Sequence, residues 1–160
     1  MLSVDHVHHV PRHIVAVSAF VTNQQGHVLL VKTHRRSDTW ELPGGQVEEG
    51  EPLDKAVVRE CLEETNVTIQ PKGITGVYYN AASHILTVVF YGEYVSGTIQ
   101  IQPEEIQEAK FVALHESNID AYITRPHFRS RTLDAMAKKS MVPYESWTVN
   151  PHELLGRVGD

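Results

Sequence analysis

One stretch of the chain, Gly45 to Val67, constrains both fold and chemistry. It reads GQVEEGEPLDKAVVRECLEETNV, with glycine, arginine and glutamates at fixed offsets. Pro52 suits the first helical position, because its missing N–H would have no intrahelical partner there. Asn66 tolerates the left-handed conformation that ends many helices. The stretch therefore predicts a helix over residues 52–65 that is bounded at both ends.

Three glutamates, Glu60, Glu63 and Glu64, lie within about one turn of this predicted helix. Residues three and four apart are neighbours on a helix surface, so the carboxylates converge. Each such like-charge pair costs roughly 0.2–0.5 kcal/mol in an isolated helix. Oxygen donors without nearby histidine or cysteine are what a hard cation such as Mg²⁺ prefers, with water and substrate phosphate as its other ligands. The cluster predicts a divalent-cation site and phosphate chemistry.

Arg59 comes directly before this cluster. Its guanidinium can orient a carboxylate through a charge-assisted, bidentate contact. Glu51, at the helix start, is placed to receive that contact and complements the positive end of the helix dipole. A single glutamate in such a place is usually an ordinary solvated side chain. The whole set would coincide by chance on the order of once in ten million trials at average residue usage, so we interpret it as functional.

These residues resemble the Nudix box, the signature of the Nudix hydrolases: glycine, five residues, glutamate, seven residues, then Arg-Glu-aliphatic-any-Glu-Glu-any-Gly-aliphatic. The sequence departs from it at the last glycine, where it has Asn66. Asn carries modest strain in the left-handed region, so we expect the loop and the activity to survive. Cys61, at the aliphatic position, is expected to be packed rather than reactive. The resemblance covers about residues 12–115, and it is strong between Leu29 and Val67.

The resemblance implies an α/β (α+β) fold in which a mixed, partly split β-sheet lies between helices. It also implies Mg²⁺- or Mn²⁺-dependent hydrolysis of a nucleoside diphosphate linked to another group. The implied metal ligands are Gly45, Glu60, Glu63 and Glu64. The implied orienting residues of the catalytic set are Arg59 and Glu51.

Three acidic residues outside the box, Glu104, Glu105 and Glu108, precede a predicted strand at 110–114. Nudix enzymes often supply another acidic residue from this region, as metal ligand or general base. Glu105 and Glu108 are therefore catalytic candidates, with an ordinary acidic surface as the alternative.

The loop after the second predicted strand supplies candidates for substrate binding. Arg35 and Arg36 are close in sequence to the phosphate chemistry and are candidates to hold a substrate phosphate, with a solvated loop as the alternative. Trp40, beside the glycine turn, is a candidate for stacking on a nucleobase. Tyr78 and Tyr79 are expected to pack in the core, with nucleobase stacking as the alternative.

Periodicity and turn chemistry predict the other elements. A chain of 160 residues, of which 41% are apolar, suffices for one domain, and we expect 1–160 to form it, with a core at about 12–140. The tail, 141–160, is predicted to be an extended strap packed by its aromatic residues, with a lid or dimer contact as the alternative. The further strands are predicted at 13–22 and 27–33 around a turn at Gly26, and at 67–69, 73–79 and 85–95, with a second helix at 126–139.

Charge and hydropathy exclude some partners. A net charge of −6 argues against duplex nucleic acid as a ligand. The longest apolar run, residues 14–21, is far too short for a membrane span, and no basic, hydrophobic leader is evident. We therefore expect a cytoplasmic protein without membrane contact, as monomer or homodimer. The histidines near the N-terminus match no recognised metal-ligand spacing: His6, His8, His9 and His13.

The sequence thus predicts a pyrophosphohydrolase with a small-molecule nucleotide substrate. A (d)NTP or a modified nucleotide is the default, because the family markers for ADP-ribose and dinucleoside polyphosphates are missing at residues 81–84 and the coenzyme A pattern is not matched upstream. Two alternatives stay open. One is a catalytically silent nucleotide sensor, which only Asn66 favours. The other is an RNA 5′-end pyrophosphohydrolase that uses a basic face of the last helix: Arg125, Arg129, Arg131, Lys138 and Lys139.

Overall fold

The computed structural model describes residues 10–138 and 140–159, and over these residues the main sheet has six strands. Of the residues discussed above, His6, His8, His9 and Lys139 lie outside the described part. The strands of the main sheet are β1 (Ile14–Thr22), β2 (Val28–Thr33), β3 (Gly44–Gln46), β4 (Thr68–Asn80), β5 (Ile85–Ser96) and β6 (Ile106–Val112). The helices are α1 (Leu53–Thr65) and α2 (Pro126–Ala137), with a short 3-10 helix at Ile119–Ala121. A separate hairpin is formed by β7 (Tyr144–Thr148) and β8 (Glu153–Val158).

The main sheet is mixed and partly split. Its order is β4-β5-β1-β2-β6, with β3 paired to β1 off this path. Strand β1 runs parallel to β5, whereas the other pairs are antiparallel. Strands β1 and β2 pair at Thr22 and Val28, next to their turn. Earlier in β1, residues 16–18 pair with β3. This branching confirms the predicted split sheet and brings the glycine turn up to α1.

The strands bury side chains on both faces of the sheet. Val17 and Val21 of β1 pack on the side of α1, together with Val57. Phe20, between them, packs on the opposite side with Ala135 of α2. Successive strand residues point to opposite faces, and each fully buried Val or Phe contributes about 1.5–3 kcal/mol. The two helices therefore cover the two faces, as the sequence predicted.

Helix α1 has the predicted C-terminal end and a slightly different start. Asn66 has φ 65° and its backbone N–H donates to the Leu62 carbonyl, which confirms the left-handed cap. Its side-chain amide also donates to the Thr98 carbonyl at 3.0 Å. Pro52 is the N-cap residue, one position before the helix. Cys61 is buried, and burial raises the pKa of its thiol to about 12, so Cys61 is packed rather than reactive, as expected.

The predicted strap at 141–160 is wrong. These residues form the β7–β8 hairpin, which turns near Asn150 and Pro151. Asn-Pro is a turn signal. The prediction missed it because it treats Pro151 as part of an extended segment. Only part of the aromatic packing is present: Tyr144 packs against Phe90 at a ring distance of 5.7 Å, whereas Trp147 is 58% exposed.

Two other strands differ from the prediction. Strand β4 is continuous from residue 68 to 80, with register shifts around Pro71 and Gly73 that accommodate the missing N–H of proline. Strand β6 starts at Ile106 rather than at 110, because pairing with β2 outweighs the low strand propensity of its acidic residues. Helix α2 ends at Ala137.

The C-terminal hairpin contacts the start of α1. Pro52 has no side-chain capping hydrogen bond, and the N–H of Leu53 instead donates to the Tyr144 hydroxyl at 2.8 Å. Tyr144 and Val158 also pack against the core cluster below α1. An isolated two-stranded hairpin is marginally stable. The hairpin therefore depends on these contacts, and in return it satisfies one of the orphan N–H groups of the helix.

We expect Tyr144→Phe to lower the free energy of unfolding by about 1 kcal/mol, because the ring stays and only the capping oxygen is lost. Urea denaturation measures this change. The matched control is Tyr79→Phe, since the half-exposed Tyr79 hydroxyl makes no hydrogen bond to a described residue. Equal stability of wild type and Tyr144→Phe would show that the contact does not stabilise the helix.

Candidate active site

Arg59 is at the centre of a cluster of carboxylates. Its Nε and Nη2 donate to the two carboxylate oxygens of Glu51 at 2.6 and 2.9 Å. Its Nη1 donates to Glu60 at 3.0 Å and to Glu63 at 3.2 Å. The bidentate contact that the sequence predicted between Arg59 and Glu51 is present. The hydrogen bond from Arg59 holds the pKa of Glu51 below its ordinary value, so this pair stays ionised and ties α1 to the loop before it.

The carboxylate of Glu60 lies directly against the glycine turn. A Cβ atom built on Gly45 would come within 2.5 Å of the Glu60 carboxyl carbon. Burial raises the pKa of Glu60, and the charges of Glu63 and Glu105 add to this rise, whereas Arg59 opposes it. Gly45 is therefore needed for the space that it leaves to Glu60.

Glu64 is the most buried carboxylate of the cluster, with 6% of the residue exposed. The N–H of Gly44 donates to its Oε1 at 2.7 Å. Burial raises its pKa to about 8, and the negative charges of Glu60, Glu41 and Glu105 contribute in the same direction. Without a cation, the protein thus favours a protonated Glu64 near neutral pH.

The donor set of this cluster suits a hard divalent cation. Over residues 10–138 and 140–159, no three His, Cys, Asp or Glu side chains form a ready-made metal cluster. Instead, Arg59 and the Gly44 N–H hold the carboxylates, and the Glu63 side chain is 58% exposed. Glu64 is buried and Glu60 is partly buried. They are one turn apart, and burial raises the pKa of both. Oxygen donors in such a state fit Mg²⁺ or Mn²⁺, which stabilises their ionised form.

The two acidic candidates near β6 differ in their position. The charge of Glu105 acts on both Glu60 and Glu64, so Glu105 lies within electrostatic reach of the cluster. Glu108 is opposite Lys32 in the β2–β6 ladder. Because side chains alternate along a strand, Glu108 and Lys110 lie on the same face of β6. The Lys110 ammonium lies 4.8 Å from the centre of the Trp40 ring. Of the two, Glu105 belongs to the carboxylate side.

A cavity of about 970 Å³ opens beside the glycine turn. It is bounded by β1, β3, the ends of β4 and β5, and the first half of α2. Arg35 and Arg36 line it, as expected for substrate-binding candidates, whereas Trp40 does not. Trp40 is buried in the core on the α2 side, where its ring does not face the cavity as a stacking residue would.

The Arg36 side chain is paired within this cavity. Its Nε and Nη2 donate to the two carboxylate oxygens of Glu41, each at 2.8 Å. Glu41 is only 8% exposed, and its charge contributes to the raised pKa of Glu64. Sequence reasoning missed Glu41, because a spacing of five residues within a loop matches no helical or strand period.

Aromatic and basic side chains form another part of the cavity wall. Tyr78, Tyr79, Phe128 and Arg131 line it. The Tyr78 hydroxyl donates to Asp134 at 2.7 Å. Core packing was the expected role of both tyrosines. Tyr78 does pack against the core cluster on the α2 side and also lines the cavity, whereas Tyr79 is 50% exposed. Strand alternation did not identify them, because α2, which forms the opposite wall, is about fifty residues further along the chain.

Two residues of the predicted basic face of α2 are paired. Arg125 pairs with Asp38 at 2.9 Å and Arg129 with Asp120 at 2.5 Å. Arg131 lines the cavity instead. These contacts reduce the open charge on which the RNA alternative depended, over the described residues 125–138.

Comparison with known proteins identifies the family. The model of the NUDIX domain matches residues 12–132. A MutT-like protein of Streptomyces ambofaciens is 40% identical over 82 residues, which are 50% of this chain and 51% of that protein. A putative 8-oxo-dGTP diphosphatase of Bacillus subtilis (strain 168) is 35% identical over 95 residues, or 58% of this chain and 62% of that one. The structure of the MutT protein from Methanosarcina mazei Go1 has a TM-score of 0.65 and 30% identity, and covers 80% of this chain and 96% of that chain.

The chain therefore belongs to the NUDIX domain family, as the resemblance of the box predicted. The chain spans about half the length of several curated relatives that it matches. The family match ends at residue 132, so the β7–β8 hairpin lies beyond it. Neither described helix has the length and apolar character that a membrane crossing needs.

The raised pKa of Glu64 makes stability depend on pH in the metal-free protein. Because its pKa rises from 4.5 to about 8 on folding, the folded state binds the proton more tightly than the unfolded chain. The stabilising contribution is complete below about pH 4.5 and is lost as pH rises through 8. In chelator, we expect urea denaturation to show a free energy of unfolding that falls over this window.

Glu64→Gln is the matching variant, because glutamine keeps the acceptor for the Gly44 N–H and does not ionise. We expect its free energy of unfolding to fall less with pH than that of the wild type. Glu116→Gln, which changes an exposed loop glutamate, is the control and should keep the wild-type slope. Parallel slopes for Glu64→Gln and wild type would contradict the shifted pKa.

Proposed function

We propose that this protein is a Mg²⁺- or Mn²⁺-dependent pyrophosphohydrolase. Its substrate is a nucleoside diphosphate linked to another group, with a (d)NTP or a modified nucleotide as the leading class. The observation that carries this proposal is the position of two acidic side chains, the buried Glu64 and the partly buried Glu60, beside a cavity large enough for a nucleotide. An arrangement that raises both pKa values is destabilising for an empty site and favourable for a cation-loaded one.

The roles of the residues follow from their contacts. Glu60 and Glu64 would hold the divalent cation, with the exposed Glu63 and the Gly45 carbonyl as further ligands. When bound, the cation supplies charge neutralisation for the diphosphate and activates water. Arg59 orients Glu60 through Nη1, while Glu51 fixes the guanidinium from the other side.

Two further groups complete the proposed site. Glu105 is exposed within reach of the cluster and is the carboxylate that accepts a proton from the attacking water. Arg36 lines the cavity and is kept in place by Glu41, so its remaining donor capacity is oriented for a phosphate oxygen. Phosphoryl transfer depends mainly on positioning and charge neutralisation, which is what these side chains provide.

The relatives support the reaction class without selecting one substrate. They include a putative 8-oxo-dGTP diphosphatase, an RNA pyrophosphohydrolase and an ADP-ribose pyrophosphatase. All three names describe cleavage of a phosphorus anhydride in a nucleotide. The ion pairs of Arg125 and Arg129 reduce the open positive charge that the RNA hypothesis requires of α2. The carboxylate set is complete, and a catalytically silent sensor does not need such a set. The sensor hypothesis therefore has no support from it.

We expect Glu64→Gln to lower kcat by at least about a hundredfold, because it removes a charge from the cation site while it keeps the size of the side chain. The measurement is release of phosphate or pyrophosphate from nucleoside triphosphates, nucleotide sugars, ADP-ribose and dinucleoside polyphosphates, with Mg²⁺ and with chelator. Glu116→Gln is the control. Near-normal turnover by a folded Glu64→Gln variant would contradict the proposed role of Glu64 and the assignment as a hydrolase. Nucleotide binding without turnover by the wild type would favour a sensor.

The two adjacent glycines of the turn give a second, paired test. The nearest atoms that a Cβ at Gly45 would meet belong to the end of the flexible Glu60 side chain, whereas a Cβ at Gly44 would lie 2.1 Å from the Val17 backbone carbonyl oxygen. We expect Gly45→Ala to fold with a near wild-type Tm and to lose affinity for Mg²⁺, measured as a higher Mg²⁺ concentration for half-maximal activity. Gly44→Ala should instead lower Tm. A Gly45→Ala variant with unchanged Mg²⁺ dependence would show that Glu60 does not hold the cation.

A further inference from the structure

Arg131 differs from the other arginines at this end of the molecule. Arg125 and Arg129 each pair with an aspartate. Arg131, by contrast, has no hydrogen bond or ion pair to a residue in the described part of the chain, and its Nε is buried without a partner. A guanidinium has five N–H donors and no acceptor. The terminal N–H groups of Arg131 likewise have no partner among the described residues, and the side chain lines the cavity, so a ligand there that supplies acceptors can receive hydrogen bonds from them.

The surroundings of Arg131 restrict the shape of that ligand. The guanidinium carbon lies 5.3 Å from the centre of the Tyr78 ring and 5.4 Å from that of Phe128. The hydrogen bond from Tyr78 to Asp134 fixes one ring. Burial lowers the pKa of Arg131, although arginine stays charged. The guanidinium is thus held by two aromatic rings that offer flat, apolar walls, as a heterocycle requires.

The position of Arg131 in the cavity indicates which part of a nucleotide it meets. Gly44 and Gly45 lie next to the carboxylates, whereas Tyr78, beside which Arg131 lies, is three strands away in the sheet that borders the same cavity. Gln46 pairs with Ala16, Ala16 with Thr87, and Thr87 with Tyr78. The Tyr78 side is the aromatic end of the cavity. A diphosphate at the carboxylates directs the base of the same nucleotide towards the aromatic end. This step rests on the proposed function.

We propose that Arg131 is a specificity-determining residue that reads guanine, by donating two hydrogen bonds to the O6 and N7 acceptors on one edge of the base. Arginine matches this pair of acceptors bidentately. Adenine presents an amino donor in place of O6, and cytosine presents an amino donor as well. The protein therefore selects guanine nucleotides over adenine and cytosine nucleotides.

The same geometry separates normal from oxidised guanine. In 8-oxoguanine N7 carries a hydrogen, so one of the two acceptors becomes a donor that opposes Arg131. Unmodified dGTP is then the better substrate, unlike the substrate in the name of the Bacillus subtilis relative. This preference distinguishes recognition by Arg131 from recognition of the oxidised base.

The first experiment uses the wild-type protein and altered bases. We expect kcat/KM for GTP and inosine triphosphate to be similar, since inosine keeps O6 and N7. ATP and 7-deaza-GTP, which each lack one acceptor, should be at least about tenfold poorer, the lower end of what a good bidentate pair provides. Hydrolysis of 8-oxo-dGTP should be slower than that of dGTP. Equal values for GTP and 7-deaza-GTP would overturn the proposal without any variant.

The second experiment compares two arginines of α2. Arg131→Met removes the donors and keeps an unbranched side chain, and Arg129→Met is the matched control at a surface ion pair. Arg131→Met should reduce the GTP:ATP ratio of kcat/KM towards one, with the loss for GTP falling mainly on KM. Arg129→Met should keep the wild-type ratio. Unchanged values for both nucleotides in Arg131→Met would overturn base recognition and indicate no contact with the substrate. An equal loss for GTP and ATP would overturn it in favour of a contact with the phosphates.

Binding without turnover separates this inference from the proposed function. In chelator, titration calorimetry with GDP and ADP measures base preference in the absence of hydrolysis. Tighter binding of GDP by wild type, but not by Arg131→Met, supports base reading by Arg131 even if no substrate is hydrolysed. Hydrolysis of triphosphates together with equal affinity for GDP and ADP would overturn the role of Arg131 and leave the pyrophosphohydrolase in place.

Discussion

The removal of the α1 carboxylates from water is the constraint on which the rest of the site depends. Glu64 is buried and Glu60 is partly buried. Burial raises the pKa of both side chains, and the charge of Glu60 adds to the rise at Glu64. Arg59 compensates part of this cost by contacting Glu51, Glu60 and Glu63 at once. One guanidinium therefore stabilises the metal-free state, joins the helix to the loop before it, and leaves the remaining charge for a cation.

The glycine turn places this helix against the sheet at close range. Gly44 pairs with Ser18 so tightly that a side chain would collide with the β1 backbone, and its N–H is directed at Glu64. Gly45 leaves room for the carboxylate of Glu60. The branch of β3 from β1 is thus what brings strand, turn and acidic helix together, and the cavity opens on the other side of the same turn. Fold and site share one set of contacts.

Local signals predicted the parts of the structure that depend on neighbouring residues. The hairpin at Gly26, the helix that ends at Asn66 and the bidentate contact of Arg59 with Glu51 all involve residues close in sequence. The predictions that failed depend on distant partners or on a missed turn. Strand β6 starts early because β2 pairs with it, and the tail is a hairpin that packs Tyr144 on α1.

The sequence by itself determined the family, the acidic helix and the chemistry of its ligands, because charge, spacing and helix ends are local properties. Only the tertiary structure decided which side chains enter the cavity. Glu41 holds Arg36 there, Trp40 is packed in the core, and Arg131 lies between two aromatic rings. These positions result from the packing of α2 over β4 and β5. Packing between elements that are far apart in sequence leaves no periodic signal in the sequence of either element.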